Sequence, residues 1–311
     1  MKIVITGALG HIGSRLIRDL PREFPGVEIV LLDNLSTQRY CSLFNLPLEG
    51  KYRFIEADIL EYDLEPIFEK ADLVIHLAAI TNAAGSFAIA DQVEQVNFDG
   101  TRRVAQACVQ TGSPIFFPST TSVYGSQDAL VDESCSDDEL KPQSPYAESK
   151  LKAEKLLFRL GVEDNLRYVI GRFGTICGVS QGMRFHTAVN KFCWQAVMGQ
   201  PLTIWNTALR QKRPYLSLVD AVAAVVFILQ RELYKNRIYN VVTANLTPAD
   251  LIQMIEKYAG GLEIQYTDSQ IMNLLSYEVS SKQFMAEGFL YSGNIESDIS
   301  ETISLLGVGR G

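Results

Sequence analysis

The segment KIVITGALGHIG, residues 2–13, decides the predicted fold of this chain. Its first half, Lys2–Thr6, is a short apolar run rich in β-branched residues, which is typical of a buried parallel strand. The second half, GALGHIG, has the glycine spacing GxxGxxG and leads into a helical pattern that ends near Pro21. A glycine turn between a strand and a helix lets the backbone approach a pyrophosphate, which the helix N-terminus then holds. Because glycine also serves plain tight turns, the motif needs support from the sequence around it.

That support comes from the next strand pattern. The run Val27–Leu32 ends in Asp33, twenty residues after Gly13 (33 − 13 = 20). A carboxylate at this place accepts hydrogen bonds from the adenosine ribose and repels a 2′-phosphate, so it favours NAD over NADP. The order of strand, glycine turn, helix, strand and acid therefore predicts a dinucleotide site. The alternative is that Asp33 is only a turn residue at the end of a strand.

Strand and helix patterns continue to alternate after Asp33, as they do in a doubly wound parallel sheet. A late strand over residues 238–242 is expected to join the same sheet. The predicted fold is therefore a Rossmann-like α/β fold. Further strands are expected at Tyr52–Ile55, Ala71–His76, Pro114–Pro118 and Tyr168–Gly171, and helices at Tyr62–Lys70, Ile89–Gln110, Tyr146–Leu160 and Arg184–Met198.

Composition and charge describe an ordinary globular protein, with 47% hydrophobic and 21% charged residues among 311. The formal net charge of −8 argues against a nucleic-acid partner, although it allows a local basic pocket for phosphates. The longest apolar run, Leu216–Leu229, contains Asp220 and is too short to span a bilayer. Met1 leads directly into a strand and leaves no room for a signal peptide. We therefore expect a cytoplasmic protein without a membrane partner.

Cysteine and histidine usage predicts no metal site. The five cysteines are scattered without metal or redox spacing, which indicates buried free thiols in a reducing compartment. There are only three histidines, and His76, at the end of a strand, has no acidic cluster near it in the sequence. We interpret His76 as a structural residue.

The segment SPYAESK, residues 144–150, supplies the first candidate catalytic pair. Ser144 is a good helix N-cap and Pro145 suits the first helical position, so a helix begins here and places Tyr146 and Lys150 on one face. A neighbouring ammonium can lower a phenol pKa by roughly one to three units, and the helix dipole acts in the same direction. The pair would then exchange protons near neutral pH. Tyr and Lys four residues apart are also a common surface arrangement, so the interpretation depends on context.

The strand Pro114–Pro118 is followed by the hydroxyl residues Ser119, Thr120, Thr121 and Ser122. Carboxyl ends of parallel strands face the ligand crevice in such sheets, so these hydroxyls are available for chemistry. Turn and cap chemistry is the alternative, and it accounts for one or two of the hydroxyls but not obviously for all.

Taken in order, these and further motifs resemble the extended short-chain dehydrogenases/reductases of the NAD-dependent epimerase/dehydratase family, which includes UDP-glucose 4-epimerase and other nucleotide-sugar enzymes. The resemblance covers the whole chain. It rests on GALGHIG, DNL at Asp33–Leu35, DI at Asp58, HLAA at His76, VNFDGT at Val96–Thr101, STTSVYG, PYAESK and RFGTICG from Arg172.

The resemblance implies roles for individual residues. Tyr146 matches the catalytic base/acid, Lys150 the residue that lowers its pKa and holds the nicotinamide ribose, and Thr120 the catalytic Ser/Thr. The matching NAD site also includes Gly7, Gly10, His11, Ile12, Gly13, Asp33, Asn34, Asp58, Ile59, Leu77, Ala78, Ala79 and Asn97. The matching substrate site includes Thr81, Thr120, Thr121, Ser122, Gly174, Arg184 and Arg213.

The residues after Thr120 separate the subfamilies. Dehydratases carry an Asp-Glu pair directly after the catalytic Thr, and decarboxylases a Glu two residues after it, whereas this chain has Thr121 and Ser122. We therefore predict epimerisation through a transient 4-keto sugar. A dehydratase or reductase on the same scaffold is the alternative. A non-catalytic NAD-binding regulatory or scaffold protein is another, but such proteins commonly lose the Tyr or the Lys.

The second half departs from the family in two places. Many relatives have Asn where Gly174 stands, and a second phosphate-binding arginine near the C-terminus, where this chain has only Arg310 after Arg237. The resemblance implies an NAD-binding domain over residues 1–174, joined by about 214–244. Residues 175–213 and 245–311 would form a smaller substrate-binding lobe. It also implies a homodimer in which the helices at 89–110 and 146–160 pair across the axis.

Overall fold

The computed structural model describes residues 1–125, 130–205, 208–267 and 276–307. Arg310 lies outside these ranges. The strands are β1 (Lys2–Thr6), β2 (Glu28–Asp33), β3 (Lys51–Glu56), β4 (Leu73–His76), β5 (Ile115–Thr120), β6 (Leu130–Val131), β7 (Tyr168–Phe173), β8 (Thr175–Cys177), β9 (Leu202–Trp205), β10 (Arg213–Ser217), β11 (Arg237–Val241), β12 (Ala244–Leu246), β13 (Ile264–Thr267) and β14 (Glu278–Val279). The α-helices are α1 (His11–Glu23), α2 (Glu65–Phe68), α3 (Ala90–Val93), α4 (Gly100–Thr111), α5 (Pro145–Glu163), α6 (Ala188–Val197), α7 (Leu218–Arg231), α8 (Pro248–Glu256), α9 (Lys282–Ala286) and α10 (Ile295–Gly307).

Seven strands form a central parallel sheet in the order β11-β7-β5-β4-β1-β2-β3. The chain winds outward from β1 to β3 on one side and from β4 to β11 on the other. The strand order therefore reverses between β1 and β4, and the carboxyl ends of these strands open a crevice. This arrangement confirms the predicted Rossmann-like fold. The smaller sheets are β12-β10-β8, β13-β9 and β14-β6.

Alternate side chains of the central strands enter different cores. Ile3 and Ile5 of β1 pack with α1 and α7 on one face. Val4 belongs to the core of the other face, where α4 and α5 pack. Because both faces are covered, these strands are apolar without interruption. A third core joins α6, α8 and α10 in the second half of the chain.

Helix α1 extends two residues past the predicted end at Pro21. Proline has no backbone N–H, so the Ile17 carbonyl loses its helical donor. The Tyr52 hydroxyl donates to that carbonyl at 3.0 Å. This side-chain donor satisfies the carbonyl and lets the helix continue through the proline.

Two other predicted helices differ in detail. The helix expected at residues 89–110 is an α-helix interrupted by a π-helical stretch, Glu94–Asp99. The helix expected from Arg184 begins at Ala188, after the extended residue Thr187. The predicted start was wrong because Arg184, His186 and Thr187 line a cavity and do not belong to the helix.

The described cysteines are all free thiols, but only part of the prediction holds. Cys108, Cys177 and Cys193 are buried, whereas Cys41 is exposed. The Cys41 thiol donates to the Gln181 carbonyl at 3.4 Å, in a loop that follows β2. Within the described residues, no helix combines the length and apolar character that crossing a bilayer requires.

Candidate active site

A cavity of about 280 Å³ lies at the carboxyl ends of β1, β4 and β5. The glycine turn after β1 forms one wall, and the turn after β5 and the first turn of α5 form another. Arg184, residues 186–188 and residues 213–215, from the second half of the chain, complete the lining. The crevice predicted from the strand order is therefore the site where the sequence motifs meet.

The glycine turn is shaped by a close backbone approach. Gly7 has a φ of +66°, and a Cβ there would lie 2.6 Å from the Ala78 nitrogen. A Cβ on Gly13 would collide with the Ala8 backbone. Helix α1 then begins at His11 without a side-chain cap on its first amides. A bare helix N-terminus at a glycine turn is a fitting site for a pyrophosphate.

The acidic residues at the ends of β2 and β3 frame the adenosine end of the predicted cofactor site. Asp33 accepts hydrogen bonds from the Leu9 and Leu35 backbone nitrogens, each at 3.0 Å. The Asn34 amide donates to the Asp58 carboxylate at 2.9 Å. Each oxygen of Asp33 keeps a lone pair for a ribose hydroxyl. This arrangement fits the sugar of a dinucleotide.

Helix α5 presents Tyr146 as predicted. The Ser144 side chain caps the helix by accepting from the Ala147 nitrogen at 3.2 Å, and Pro145 takes the first position. The pKa of Tyr146 is nevertheless raised, because burial outweighs the Arg184 charge and the Thr120 hydrogen bond that lower it. The predicted direction was therefore wrong for the protein alone, and Arg184 is the cation that opposes the rise.

Lys150 is buried beneath the same wall. Its Nζ donates to the Pro118 carbonyl at 2.8 Å and lies 4.3 Å from the centroid of the Phe117 ring. Burial lowers the pKa of Lys150 to about 7, and although Glu154 raises it, Arg184 lowers it further. Burial thus favours the neutral amine, and the Glu154 charge favours the ammonium.

The hydroxyl residues after β5 divide between turn formation and the cavity. Thr120 Oγ1 accepts from the Ser122 nitrogen at 3.1 Å, and Thr121 Oγ1 donates to the Phe173 carbonyl at 3.3 Å. Thr120 also lies with Tyr146 in the cavity lining and lowers the pKa of that phenol. The turn interpretation is thus correct for part of the segment, and Thr120 serves both the turn and the cavity.

His76 has the structural role expected of it. Thr101 Oγ1 donates to the Asn97 carbonyl at 2.5 Å, so it can only accept from His76 Nε2 at 3.0 Å. The other nitrogen, Nδ1, then accepts from Thr6 Oγ1 at 2.7 Å. Burial, together with the Lys150 charge, lowers the pKa of His76 to about 3, so the ring is neutral.

Two arginines reach the cavity from the second half of the chain. Arg184 donates to Thr81 Oγ1, and its buried Nε has no partner within the described residues. Arg213 lies 5.7 Å from the centroid of the Trp205 ring, and its buried Nη2 likewise lacks a described partner. No Asp or Glu occurs among the described residues that line the cavity. A cavity of this charge fits an anionic ligand.

Gly174 cannot be replaced by a larger residue without movement. A Cβ there would lie 3.0 Å from the Pro214 carbonyl oxygen and 3.1 Å from the Tyr215 carbonyl carbon. The asparagine that many relatives have at this position would therefore require β10 to shift by a few tenths of an ångström.

Comparison with known proteins decides the family. The sequence profile of the NAD dependent epimerase/dehydratase family matches residues 3–241. The chain belongs to this family. Members of the epimerase/dehydratase family depend on NAD, and the glycine turn and Asp33 fit it, so NAD is the cofactor of this protein.

Several relatives cover most of the chain. A protein of Bacillus subtilis (strain 168), named uncharacterized UDP-glucose epimerase YtcB, is 32% identical over 74% of this chain and 72% of its own length. The mouse dTDP-D-glucose 4,6-dehydratase is 30% identical over 97% of this chain and 87% of its own length. The chain is 31% identical to an Arabidopsis trifunctional UDP-glucose 4,6-dehydratase/epimerase/reductase but spans only 46% of it.

A solved structure shows the same architecture. The UDP-glucuronic acid 4-epimerase from Bacillus cereus, in complex with UDP-glucuronic acid and NAD, is 25% identical. It aligns with a TM-score of 0.86 over 98% of this chain and 99% of that chain. The family's fold is therefore present in full.

The cavity brings together most of the residues predicted for the family's site. A few predicted NAD ligands lie outside its lining; Asn97 is one, since its amide is used in hydrogen bonds to Ile80 and Ser149. Contact of these residues with NAD stays a prediction. The residues in the lining are Gly7, Gly10, His11, Ile12, Gly13, Leu77, Ala79, Thr81, Thr120, Thr121, Ser122, Tyr146, Lys150, Gly174, Arg184 and Arg213; those outside it are Asp33, Asn34, Asp58, Ile59, Ala78 and Asn97.

Sequence reasoning missed two residues near this site. The Arg39 guanidinium lies 3.9 Å from the position that a Cβ on Gly10 would take, beside the pyrophosphate turn. The signal in the sequence that could have identified Arg39 was an isolated basic residue shortly after Asp33. Tyr277 lines the cavity from the far end of the chain and belongs to no motif.

Proposed function

We propose that this protein is an NAD-dependent nucleotide-sugar 4-epimerase. The observation that carries the proposal is that the described residues lining the cavity include no carboxylate, while Thr120 and Tyr146 lie together there. Loss of water from the sugar ring needs an acid and a base beyond Tyr146. Thr121 and Ser122, which stand where dehydratases have Asp and Glu, cannot supply them at neutral pH.

The chain's own residues account for the proton transfers. Tyr146, as phenolate, takes the proton from the sugar 4-hydroxyl, while Thr120 hydrogen-bonds the same oxygen. The Arg184 charge favours the phenolate, and Lys150 binds the nicotinamide ribose. Bound NAD supplies the hydride acceptor and, after the 4-keto sugar has rotated in the site to present its opposite face, the hydride donor. Tyr146 then returns its proton to the oxygen on the inverted carbon.

The substrate side supports a nucleotide sugar. Arg213 has a buried nitrogen without a described partner, and a guanidinium fork suits the oxygens of a diphosphate. Trp205 lies beside Arg213 and offers an apolar surface to the nucleotide end. Arg184 and Thr81 line the cavity on the side of Tyr146, where the reacting sugar would lie. We assign these residues to substrate binding.

The proposal is tested with a panel of UDP-, GDP-, CDP- and TDP-sugars followed by NMR without added cofactor. Conversion of one sugar into its 4-epimer is the expected result, and Tyr146→Phe should lose most of this activity, at least about a hundredfold, while keeping bound NAD. A 4-keto-6-deoxy product would instead identify a dehydratase, and turnover only with added NADH or NADPH a reductase. If wild type and Tyr146→Phe both bind NAD but convert no sugar, the protein is a binding module.

Other features of the proposal concern the whole molecule. We assign residues 1–174, with about 214–244, to an NAD-binding domain, and residues 175–213 and 245–311 to a substrate lobe. We also propose a homodimer through α4 and α5, and a cytoplasmic location. The free thiols agree with a reducing compartment, and fractionation of the source cells would test the location.

A further inference from the structure

Tyr277 reaches the catalytic turn from the C-terminal part of the chain. Its hydroxyl donates to the Thr121 carbonyl at 2.9 Å. The residue is only 6% exposed, and its ring lies 6.4 Å from that of Tyr124. A phenol so deeply buried keeps its place through this hydrogen bond. Nothing in the proposed chemistry has used it.

The turn that Tyr277 touches sets the position of Thr120. The Ser122 nitrogen donates to Thr120 Oγ1 at 3.1 Å, so the orientation of the Thr120 side chain depends on the Thr121–Ser122 backbone. One side of this turn is fixed to β7, where Thr121 Oγ1 binds the Phe173 carbonyl. Tyr277 fixes the other side. The catalytic hydroxyl is thus held between two distant parts of the chain.

The same segment is tied to the loop before Arg213. The Tyr277 nitrogen donates to the Lys212 carbonyl at 3.3 Å, and the Lys212 and Glu278 side chains form an ion pair at 2.6 Å. Residues 278 and 279 then pair with β6 in parallel. The segment therefore joins the catalytic turn to the arginine assigned to the diphosphate.

We propose that Tyr277 is a positioning residue that holds the turn after β5 so that Thr120 faces Tyr146 and the reacting sugar oxygen. The inference rests on the proposed function, because it assigns the chemistry to Thr120 and Tyr146. It adds a residue from outside the family's motifs to the catalytic arrangement. A displacement of about 1 Å in such a group can cost a hundredfold in rate.

The test compares Tyr277→Phe with Tyr52→Phe. Both variants remove a tyrosine hydroxyl that donates to a backbone carbonyl, but the partner of Tyr52 is Ile17 in α1 and not the turn. We expect Tyr277→Phe to lower kcat about tenfold with KM within about twofold, and Tyr52→Phe to match the wild type. Equal kcat values in the two variants would overturn the proposal.

A double mutant asks whether Tyr277 acts through Thr120. If it does, Tyr277→Phe adds no further loss of kcat in a Thr120→Ala background; losses that multiply would contradict the proposal.

A second test does not depend on turnover. If the wild type converts no nucleotide sugar, the proposed function fails, but the pKa of Tyr146 can still show whether Tyr277 positions Thr120. The titration of Tyr146 is measured by absorbance as the pH is raised. The signal of Tyr146 is the difference between each protein and the same protein carrying Tyr146→Phe. Thr120 lowers the pKa of Tyr146, so its displacement in Tyr277→Phe should raise that pKa; an unchanged value would refute the positioning role.

Discussion

Gly7 is the residue on which the cofactor turn depends. Its φ of +66° is strained for other residues, and an added Cβ would lie 2.6 Å from Ala78. Gly26 has a similar φ of +79° but no atom within 4 Å of such a Cβ. We therefore expect Gly7→Ala to lose bound NAD, while Gly26→Ala costs only about 1 kcal/mol of stability and keeps it. NAD released on denaturing equal amounts of protein, read by absorbance, measures the difference; NAD retained in both variants would contradict the close approach.

At the same scale, the sequence predicted where Tyr146 and Lys150 lie but not their pKa values. Position follows from local signals, since Ser144 caps the helix and the four-residue spacing sets a common face. A pKa depends on burial and on charges that are distant in the chain. The Arg184 charge affects the pKa of Tyr146, and the Pro118 carbonyl accepts a hydrogen bond from Lys150. Neither contact can be inferred from the local sequence around the pair.

At the scale of elements, α5 carries the catalytic pair at one end and an exposed apolar surface at the other. Phe158 is 64% exposed and Val162 is 70% exposed, one helical turn apart. The four-residue spacing places the two side chains together on one face of α5, and an exposed apolar pair there agrees with the proposed dimer contact. We expect Phe158→Glu to convert the dimer to a monomer, because it places a charge in the contact. Light scattering after size exclusion measures this; Leu290→Glu, at a residue 79% exposed outside α4 and α5, should leave the mass unchanged. A monomeric wild type would refute the dimer.

The sequence predicted the central sheet because its signal is local. An apolar run such as Lys2–Thr6, followed by a glycine turn, needs no distant partner to be interpreted. The start of α6 was misplaced because the helical pattern extends over residues whose side chains instead line the cavity. Tyr277 was missed for a similar reason: its partner, Thr121, lies 156 residues away.

At the scale of the whole molecule, charge is distributed unevenly. The chain carries a net charge of −8, yet the described cavity lining contains Lys150, Arg184 and Arg213 and no carboxylate. A positive cavity in an acidic protein attracts anions locally without attracting nucleic acid in general. This separation agrees with a diphosphate-bearing substrate and could not be inferred from the total charge.

Two buried histidines, His11 and His76, make stability depend on pH for the molecule as a whole. The pKa values of His11 and His76 are lowered from 6.5 to about 3, chiefly by burial. Below pH 6.5 the unfolded chain binds more protons than the folded one, so the free energy of unfolding falls as the pH falls. Asp298, whose pKa burial raises to about 6, acts in the opposite direction and offsets part of this loss.

We therefore expect the free energy of unfolding to be about 3 kcal/mol lower at pH 5 than at pH 7. His11 and His76 each contribute about 2 kcal/mol over that interval, and Asp298 offsets about 1 kcal/mol of the sum. Urea unfolding at the two pH values measures the difference. His76→Gln should be less stable at pH 7 but should show a smaller fall toward pH 5, because one of the groups that titrate only in the unfolded chain is gone. A stability that is equal or greater at pH 5 would mean that these rings gain protons without unfolding, and the neutral His76 assigned between Thr6 and Thr101 would be wrong.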